Sequence, residues 1–124
     1  MNGVTFDTGA LIGLERRTER MKAVLARIAA RQLPVTIPAV VVAEWYRGQR
    51  DWRRVLALAE WVEPTTEALA RVAGAALRAT AGRNAIDAIV MASAAQRGDV
   101  VYTSDVPDLQ VLARAFPEVR ILGA

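Results

Sequence analysis

The chain has 124 residues, with 16 lysines and arginines against 13 aspartates and glutamates, a net charge of +3 and a pI near 10.2. It contains no cysteine and no histidine, which excludes a disulfide framework, a Cys/His zinc site, haem held by either residue, and Cys or His catalysis. Any bound metal must take oxygen ligands, which points to Mg²⁺ or Mn²⁺; acid–base chemistry at neutral pH is left to carboxylates, the lone Lys22 or metal-bound water.

Val4-Thr5-Phe6 predicts a short strand ending at Asp7, and from Thr8 onward Ala10, Leu11 and Leu14 recur at helical spacing. A charged break from Glu15 to Arg20 precedes a second helix through Val24, Leu25, Ile28 and Ala29. Pro34 ends that region, and Val35-Thr36-Ile37 reads as a second strand. Pro38 then opens a helix at its first turn, carrying Val40, Val41, Val42 and Ala43. Gly48 is expected to close that helix and Asp51 to cap the next, which carries Val55, Leu56, Leu58 and Ala59. Trp61 to Pro64 forms a short strand, and Thr65-Thr66-Glu67 starts a long alanine-rich helix to about Thr80. After a break at Gly82-Arg83-Asn84, a helix from Ala85 to Gln96 is stopped by Gly98. Val100 to Thr103 is the clearest strand, followed by a helix from about Pro107 to Phe116 and a terminal strand from Val119 to Leu122.

Short strands alternating with helices imply one α/β domain over residues 1–124, with a short central parallel sheet of about five strands covered by helices on both faces. The 24 alanines, without a glycine-rich or proline-rich tract, also favour helix over an all-β barrel. No apolar run is long enough for a membrane span, so no membrane association is expected. Met1-Asn2-Gly3-Val4 lacks the pattern of a signal peptide, and the missing cysteines fit a cytoplasmic protein. Fifteen of the 16 basic residues are arginines, suited to bidentate recognition of phosphate, although a genome's base composition can produce the same bias.

In such folds functional residues collect at the carboxyl ends of strands. Asp7 follows the first strand and Asp105 lies two residues past the fourth. Glu44 shares a helix face with Val40 and Val41, and Asp87 one with Val90, Met91 and Ala94. A carboxylate on an apolar stripe must find a partner or change its pKa. Taken singly, each acid has a structural explanation: Asp7, Asp105 and Asp108 as helix-terminal residues, Glu44 and Asp87 as partners of arginines such as Arg47 and Arg83. Taken together, they share one: an oxygen-only cation site, because such a cluster repels itself unless a metal ion offsets it. Thr103 and Ser104, beside Asp105, are equally well placed to orient a water or carboxylate and to end a strand and begin a helix.

Four segments resemble the motifs of PIN-domain ribonucleases, in that family's order: Val-Thr-Phe-Asp7-Thr8-Gly-Ala-Leu, Ile-Pro-Ala-Val-Val-Val-Ala-Glu44-Trp-Tyr-Arg-Gly48, Asn84-Ala-Ile-Asp87-Ala-Ile-Val-Met-Ala and Val-Tyr-Thr103-Ser104-Asp105. A free-standing chain of this size is similar to the VapC-type toxins of bacterial and archaeal toxin–antitoxin pairs. The resemblance implies a Mg²⁺- or Mn²⁺-dependent endoribonuclease, homodimeric and silenced by a small antitoxin protein. It assigns Asp7, Glu44, Asp87 and Asp105 to the metal site, with Asp108 as a candidate further member. Thr8 and Thr103 match the hydroxyl positions, and Thr103 joins the catalytic set. One departure is a short segment after Glu44, which implies a reduced substrate-facing surface.

Asp7-Thr8-Gly9 is also the signature of aspartic proteases, but that fold is almost all β and the residues that follow here are helical. Aspartyl-nucleophile phosphatases need a second acid where Gly9 stands, and no phosphate-binding GxxxxGK[ST] loop exists. The rival reading is a catalytically silent PIN-like module binding nucleic acid or a partner. Trp45, Tyr46, Trp52 and Trp61 lie among Arg47, Arg50, Arg53 and Arg54, an interleaving that suits base stacking and phosphate contact. Trp61, with Trp45 or Trp52, also reads as a core or dimer-interface residue; that reading is favoured for Trp61, and Trp52 beside Arg53 and Arg54 fits either. The intact set of acids favours the enzyme, and the four arginines are the candidate RNA contacts.

Overall fold

The computed structural model describes residues 2–124; Met1, which opens the N-terminal stretch considered above, lies outside them. Five strands, β1 (Val4–Phe6), β2 (Val35–Pro38), β3 (Trp61–Glu63), β4 (Val100–Thr103) and β5 (Arg120–Gly123), form one sheet in the order β3-β2-β1-β4-β5. Every neighbouring pair is parallel. Parallel strands cannot be joined by tight hairpins, so each connection carries helix. These are α1 (Thr8–Arg16) and α2 (Glu19–Arg31) after β1, α3 (Ala39–Trp45) and α4 (Trp52–Leu56) after β2, α5 (Glu67–Ala79) and α6 (Ala85–Arg97) after β3, and α7 (Val106–Leu112) after β4. The parallel five-stranded α/β architecture expected from the sequence is the one found.

Alternation along the strands sends neighbouring side chains to opposite faces, and helices cover both. Tyr102 faces α2, where its hydroxyl accepts a hydrogen bond from Arg27 Nη1 at 3.2 Å. Thr5 lies one residue out of phase, preceding Phe6, the partner of Tyr102 in the register. It faces α6, and its hydroxyl accepts from Arg97 Nη2 at 2.9 Å. The chain steps from β1 outward to β2 and β3, then returns to lay β4 against the other side of β1. The order therefore reverses between β1 and β4, where an open α/β sheet leaves a crevice at its carboxyl end. Asp7 and Thr103 stand at that end of these two strands.

α6 is the helix that the core is built around. Ala88, Val90, Met91, Ala92, Ser93 and Ala94 are all buried in it, and its small side chains let it lie close to the sheet while α5 packs outside. Asn84 caps its start, Oδ1 accepting from the backbone N–H groups of Ile86 and Asp87 at 2.8 and 3.1 Å. Gly98 ends it in the left-handed conformation, at φ 71°.

Some boundaries differ from expectation. α3 stops at Trp45, short of Gly48, with Tyr46 extended; the Trp45 indole donates to Glu15 Oε1 at 2.9 Å, and Gln49 Nε2 takes up the Trp45 carbonyl at 3.0 Å. α7 stops at Leu112 rather than Phe116, because the chain tightens into successive turns: Ala115 N–H donates to Leu112 O at 3.0 Å and Phe116 N–H to Ala113 O at 3.1 Å. Asp51 occupies the position before α4 but makes no side-chain cap bond; its Oδ2 instead accepts from Arg54 Nη2 at 2.6 Å. Trp45 is in the core at 4% exposure, whereas Trp61, on the edge strand β3, is 48% exposed and does not belong to it.

A buried polar network ties α6 to the sheet. Arg97 Nη1 meets Glu63 Oε2 at 2.7 Å and its Nε meets Asp99 Oδ2 at 2.9 Å. Thr5 and Ser93 hydroxyls and Gln96 complete the pairing of both carboxylates. Removing the cation leaves two buried carboxylates facing each other, a defect that costs about 3 kcal/mol or more. Arg97→Met is therefore expected to lower the unfolding free energy measured by chemical denaturation by that amount, and adding Glu63→Gln with Asp99→Asn to recover part of the loss.

Candidate active site

The crevice is assembled from β1, β4 and the first turns of α1, α6 and α7, with α3 contributing from the side. Asp7, at the end of β1, is only 5% exposed. Both its oxygens are held: Oδ1 accepts from the Thr8 backbone N–H at 2.7 Å and Oδ2 from the Thr103 hydroxyl at 2.8 Å. The same Thr103 oxygen accepts from the Asp105 backbone N–H at 3.0 Å. One fully buried threonine thus fixes the carboxylate after β1 and the backbone of the acid after β4. Thr8 donates its hydroxyl to Glu44 Oε1, so α1 and α3 are joined through a second acid.

Gly9 explains how α1 comes so near this loop. A Cβ at that position would stand 2.1 Å from Ser104 Oγ and 2.6 Å from its backbone nitrogen, closer than any side chain permits. The first turn of α1 therefore rests directly against the residue between Thr103 and Asp105.

Electrostatics mark the acids as one group. Burial, then the charges of Asp7, Glu44, Asp105 and Asp108, push the Asp87 carboxyl up to about 7. Burial raises Asp7 above its ordinary value, with Glu44 and Asp105 adding to it, against the hydrogen bonds from Thr8 and Thr103. Asp108 is raised by its hydrogen bond with Asp105 and by that residue's charge. Among the described residues none of these five acids has an arginine or lysine within salt-bridge distance. Arg47 instead donates to the carbonyls of Ala43 and Tyr46, at 3.1 and 2.6 Å.

The single-residue explanations divide accordingly. Asp7 does cap α1. Asp105 precedes α7 without any side-chain cap bond and is exposed. Glu44 is exposed, not embedded in the apolar stripe that Val41 buries. Asp87 is half-buried, and with Asp108, Arg83 and Asn84 it lines a cleft of about 190 Å³ between α6 and α7. Asn84 is the site residue whose role the motif did not reveal: as N-cap it sets the turn that presents Asp87, a role its residue type at a helix start signals.

The donor set suits a hard divalent cation: all oxygen, predominantly anionic and, among the described residues, not ion-paired to any lysine or arginine. Among the described residues, however, no group of three or more acids has closed into a ready-made cage. The fit to a metal is one of charge and donor chemistry, with Asp7 the acid already locked in place.

The candidate RNA contacts separate. Arg54 is committed to the end of α1, donating to Leu14 O and Glu15 O while paired with Asp51; it is not the free phosphate contact its position in the sequence suggests. Arg53 lies over the Trp52 ring at 4.3 Å, and Trp52 meets exposed Tyr46 edge to face at 5.8 Å. Arg47, Arg50 and Arg53 are exposed.

A family model described as PIN domain matches residues 4–106. A comparison with curated protein sequences gives no match. Among solved structures, the chain is similar to DNA-bound VapBC from Salmonella typhimurium, at a TM-score of 0.70 and 17% identity, covering 99% of this chain and 98% of that one. It is similar to VapBC2 from Rickettsia felis bound to a DNA fragment from their promoter, at a TM-score of 0.73 and 10% identity, covering 98% of each chain. FitAB bound to an IR36 DNA fragment gives a TM-score of 0.68 and 21% identity, covering 97% of this chain and 94% of that one.

The raised acids have a consequence for stability in metal-free protein. A carboxyl whose pKa is raised on folding contributes stability below its ordinary value, and that contribution is lost as pH rises through the folded value. Asp87, Asp7 and Asp108 all shift in this direction. In EDTA the melting temperature is expected to fall as pH rises from about 5 to about 8, with Asp87→Asn flattening most of the slope, measured by calorimetry.

Proposed function

This chain belongs to the PIN-domain family, and we propose that it is a Mg²⁺- or Mn²⁺-dependent endoribonuclease, the toxin of a VapC-type toxin–antitoxin pair, with residues 1–124 forming a single nuclease domain. The observation that carries the reading is the group of Asp7, Glu44, Asp87, Asp105 and Asp108, with no lysine or arginine within salt-bridge distance among the described residues, at the switch point of the sheet.

Asp7, Glu44, Asp87 and Asp105 would hold the ion, and Asp108 stands beside them as a further ligand. Bound there, the ion supplies Lewis acidity toward a phosphoryl oxygen and toward water. The chain's own contribution is orientation. Thr103 holds Asp7 with its hydroxyl proton and Asp105 through the backbone; Thr8 holds Glu44. In the metal-free protein burial and the neighbouring charges push the Asp87 carboxyl up to about 7, so near neutrality it can hold a proton that is displaced when a cation binds. Arg47, Arg50 and Arg53, with the Tyr46–Trp52 pair, form a cationic and aromatic surface suited to single-stranded RNA.

Purified protein is expected to cut single-stranded or looped RNA with Mg²⁺ or Mn²⁺, read on a denaturing gel. EDTA or Asp7→Asn should abolish cutting; activity that survives both would remove these acids from the chemistry. Tight RNA binding with no cutting under any divalent ion would instead favour the silent binding module.

The partners follow from the same reading. The chain is proposed to act as a cytoplasmic homodimer bound by a small antitoxin that reaches the acids with an arginine or lysine. Co-purification with the product of the adjacent gene should yield a complex inactive toward RNA, by light scattering and cleavage assay. A monomer that no neighbouring product inhibits would overturn the toxin assignment while leaving the nuclease intact.

A further inference from the structure

We propose that the cleft between α2 and the β4–β5 edge is a phosphate subsite, in which Arg20 and Arg27 hold the RNA backbone beyond the cleaved bond. This rests on the ribonuclease reading and adds strand contacts on residues outside the four motifs and the 47–54 segment. The cleft is about 420 Å³, with Arg20, Val24 and Arg27 of α2 on one side and Tyr102, Leu122 and Gly123 of the sheet on the other.

Its two cations are free and aimed. Among the described residues neither Arg20 nor Arg27 lies within salt-bridge distance of a carboxylate. Arg27 is held by its bond to the hydroxyl of Tyr102, whose buried ring packs edge to face on Phe6 at 6.3 Å. Arg20 lies against Gly123: a Cβ there would stand 2.7 Å from Arg20 Nη1, so the guanidinium tip occupies the space beside the glycine and would have to shift for any larger residue. Val24 and Leu122 give the cleft an apolar lining, and a guanidinium beside low-dielectric surface grips an anion more strongly than one in open water.

The sheet places this cleft relative to the acids. Gly123 is opposite Thr103 in the β4–β5 register, and Thr103 holds Asp7. β5 lies two strand spacings from β1, roughly 10 Å at about 4.8 Å each. A strand with its scissile phosphate at Asp7 that runs toward β5 passes Gly123 and brings its following phosphates over Arg20 and Arg27. The carboxylates repel that backbone on one side, and the two arginines offset the repulsion on the other.

The test uses full-length Asp7→Asn protein, which should hold RNA uncut, and measures single-stranded RNA binding across a KCl series. Each phosphate contact on a single strand contributes about 0.7 to the slope of log affinity against log salt. Arg20→Gln and Arg27→Gln are each expected to reduce the slope by about 0.7, and the pair by about 1.4. Arg20→Lys should restore most of it. In the active protein the same replacements should raise KM several-fold with kcat unchanged at saturating RNA. Gly123→Ala, which displaces Arg20 with both charges kept, should raise KM as well.

A slope unchanged by the double replacement overturns the subsite, while Asp7-dependent cutting by the wild type keeps the ribonuclease reading. A protein that never cuts, but whose slope falls as stated, keeps the subsite and ends that reading. If the slope is unchanged and only antitoxin affinity drops, the cleft belongs to an acidic protein partner and the RNA subsite is overturned.

Discussion

Mutual repulsion among Asp7, Glu44, Asp87, Asp105 and Asp108 is the constraint that the rest of the molecule has to accommodate. Among the described residues no lysine or arginine lies within salt-bridge distance of them. What opposes the repulsion is geometry: two threonine hydroxyls, a helix N-terminus under Asp7 and the rigid ends of two adjacent parallel strands. The strain appears as displaced protonation, most clearly in Asp87, and not as a distorted backbone: the left-handed non-glycine residues, Arg17 and Gln32, sit at the ends of α1 and α2.

α6 shows how the two halves of this arrangement are balanced. Its first turn carries Asp87 into the uncompensated acids, whereas its last turn carries Arg97 into Glu63 and Asp99, where one guanidinium bridges both carboxylates. One helix therefore joins a region without a paired cation to one that is ion-paired and hydrogen-bonded, and the buried apolar residues between them keep its axial position fixed. Moving the helix to relax Asp87 would break the pairing at Arg97.

Much of this was legible in the residues because the signals are local. Alternating short strands and alanine-rich helices announce a parallel sheet, and acids just past strands announce its carboxyl end. The Asn84 cap and the Gly98 stop are likewise written within a few residues of where they act. The rest depends on distance along the chain. Arg97 meets Glu63 across 34 positions and Thr5 meets Asp99 across 94, pairings that no local pattern encodes. Arg54 looked like a surface cation among its neighbours until the fold brought the end of α1 beneath it. Glu44 looked embedded because Val40 and Val41 precede it, yet the helix ends one residue later and leaves its side chain at the rim.

The contact at Gly9 has a mechanical meaning. In open α/β sheets the strands on either side of the switch point carry separate loops, with a crevice between them. Here the first turn of α1 bears on Ser104 with no side chain between them, so the strand-end loops of β1 and β4 form a single hard joint. Asp7, Thr8, Thr103 and Asp105 ride on that joint as one body. α6 is held at its far end by Arg97, so compliance is left to α3, which brings Glu44 from outside the joint, and any closing of the acids about a ligand is an approach of that helix toward a stationary jaw.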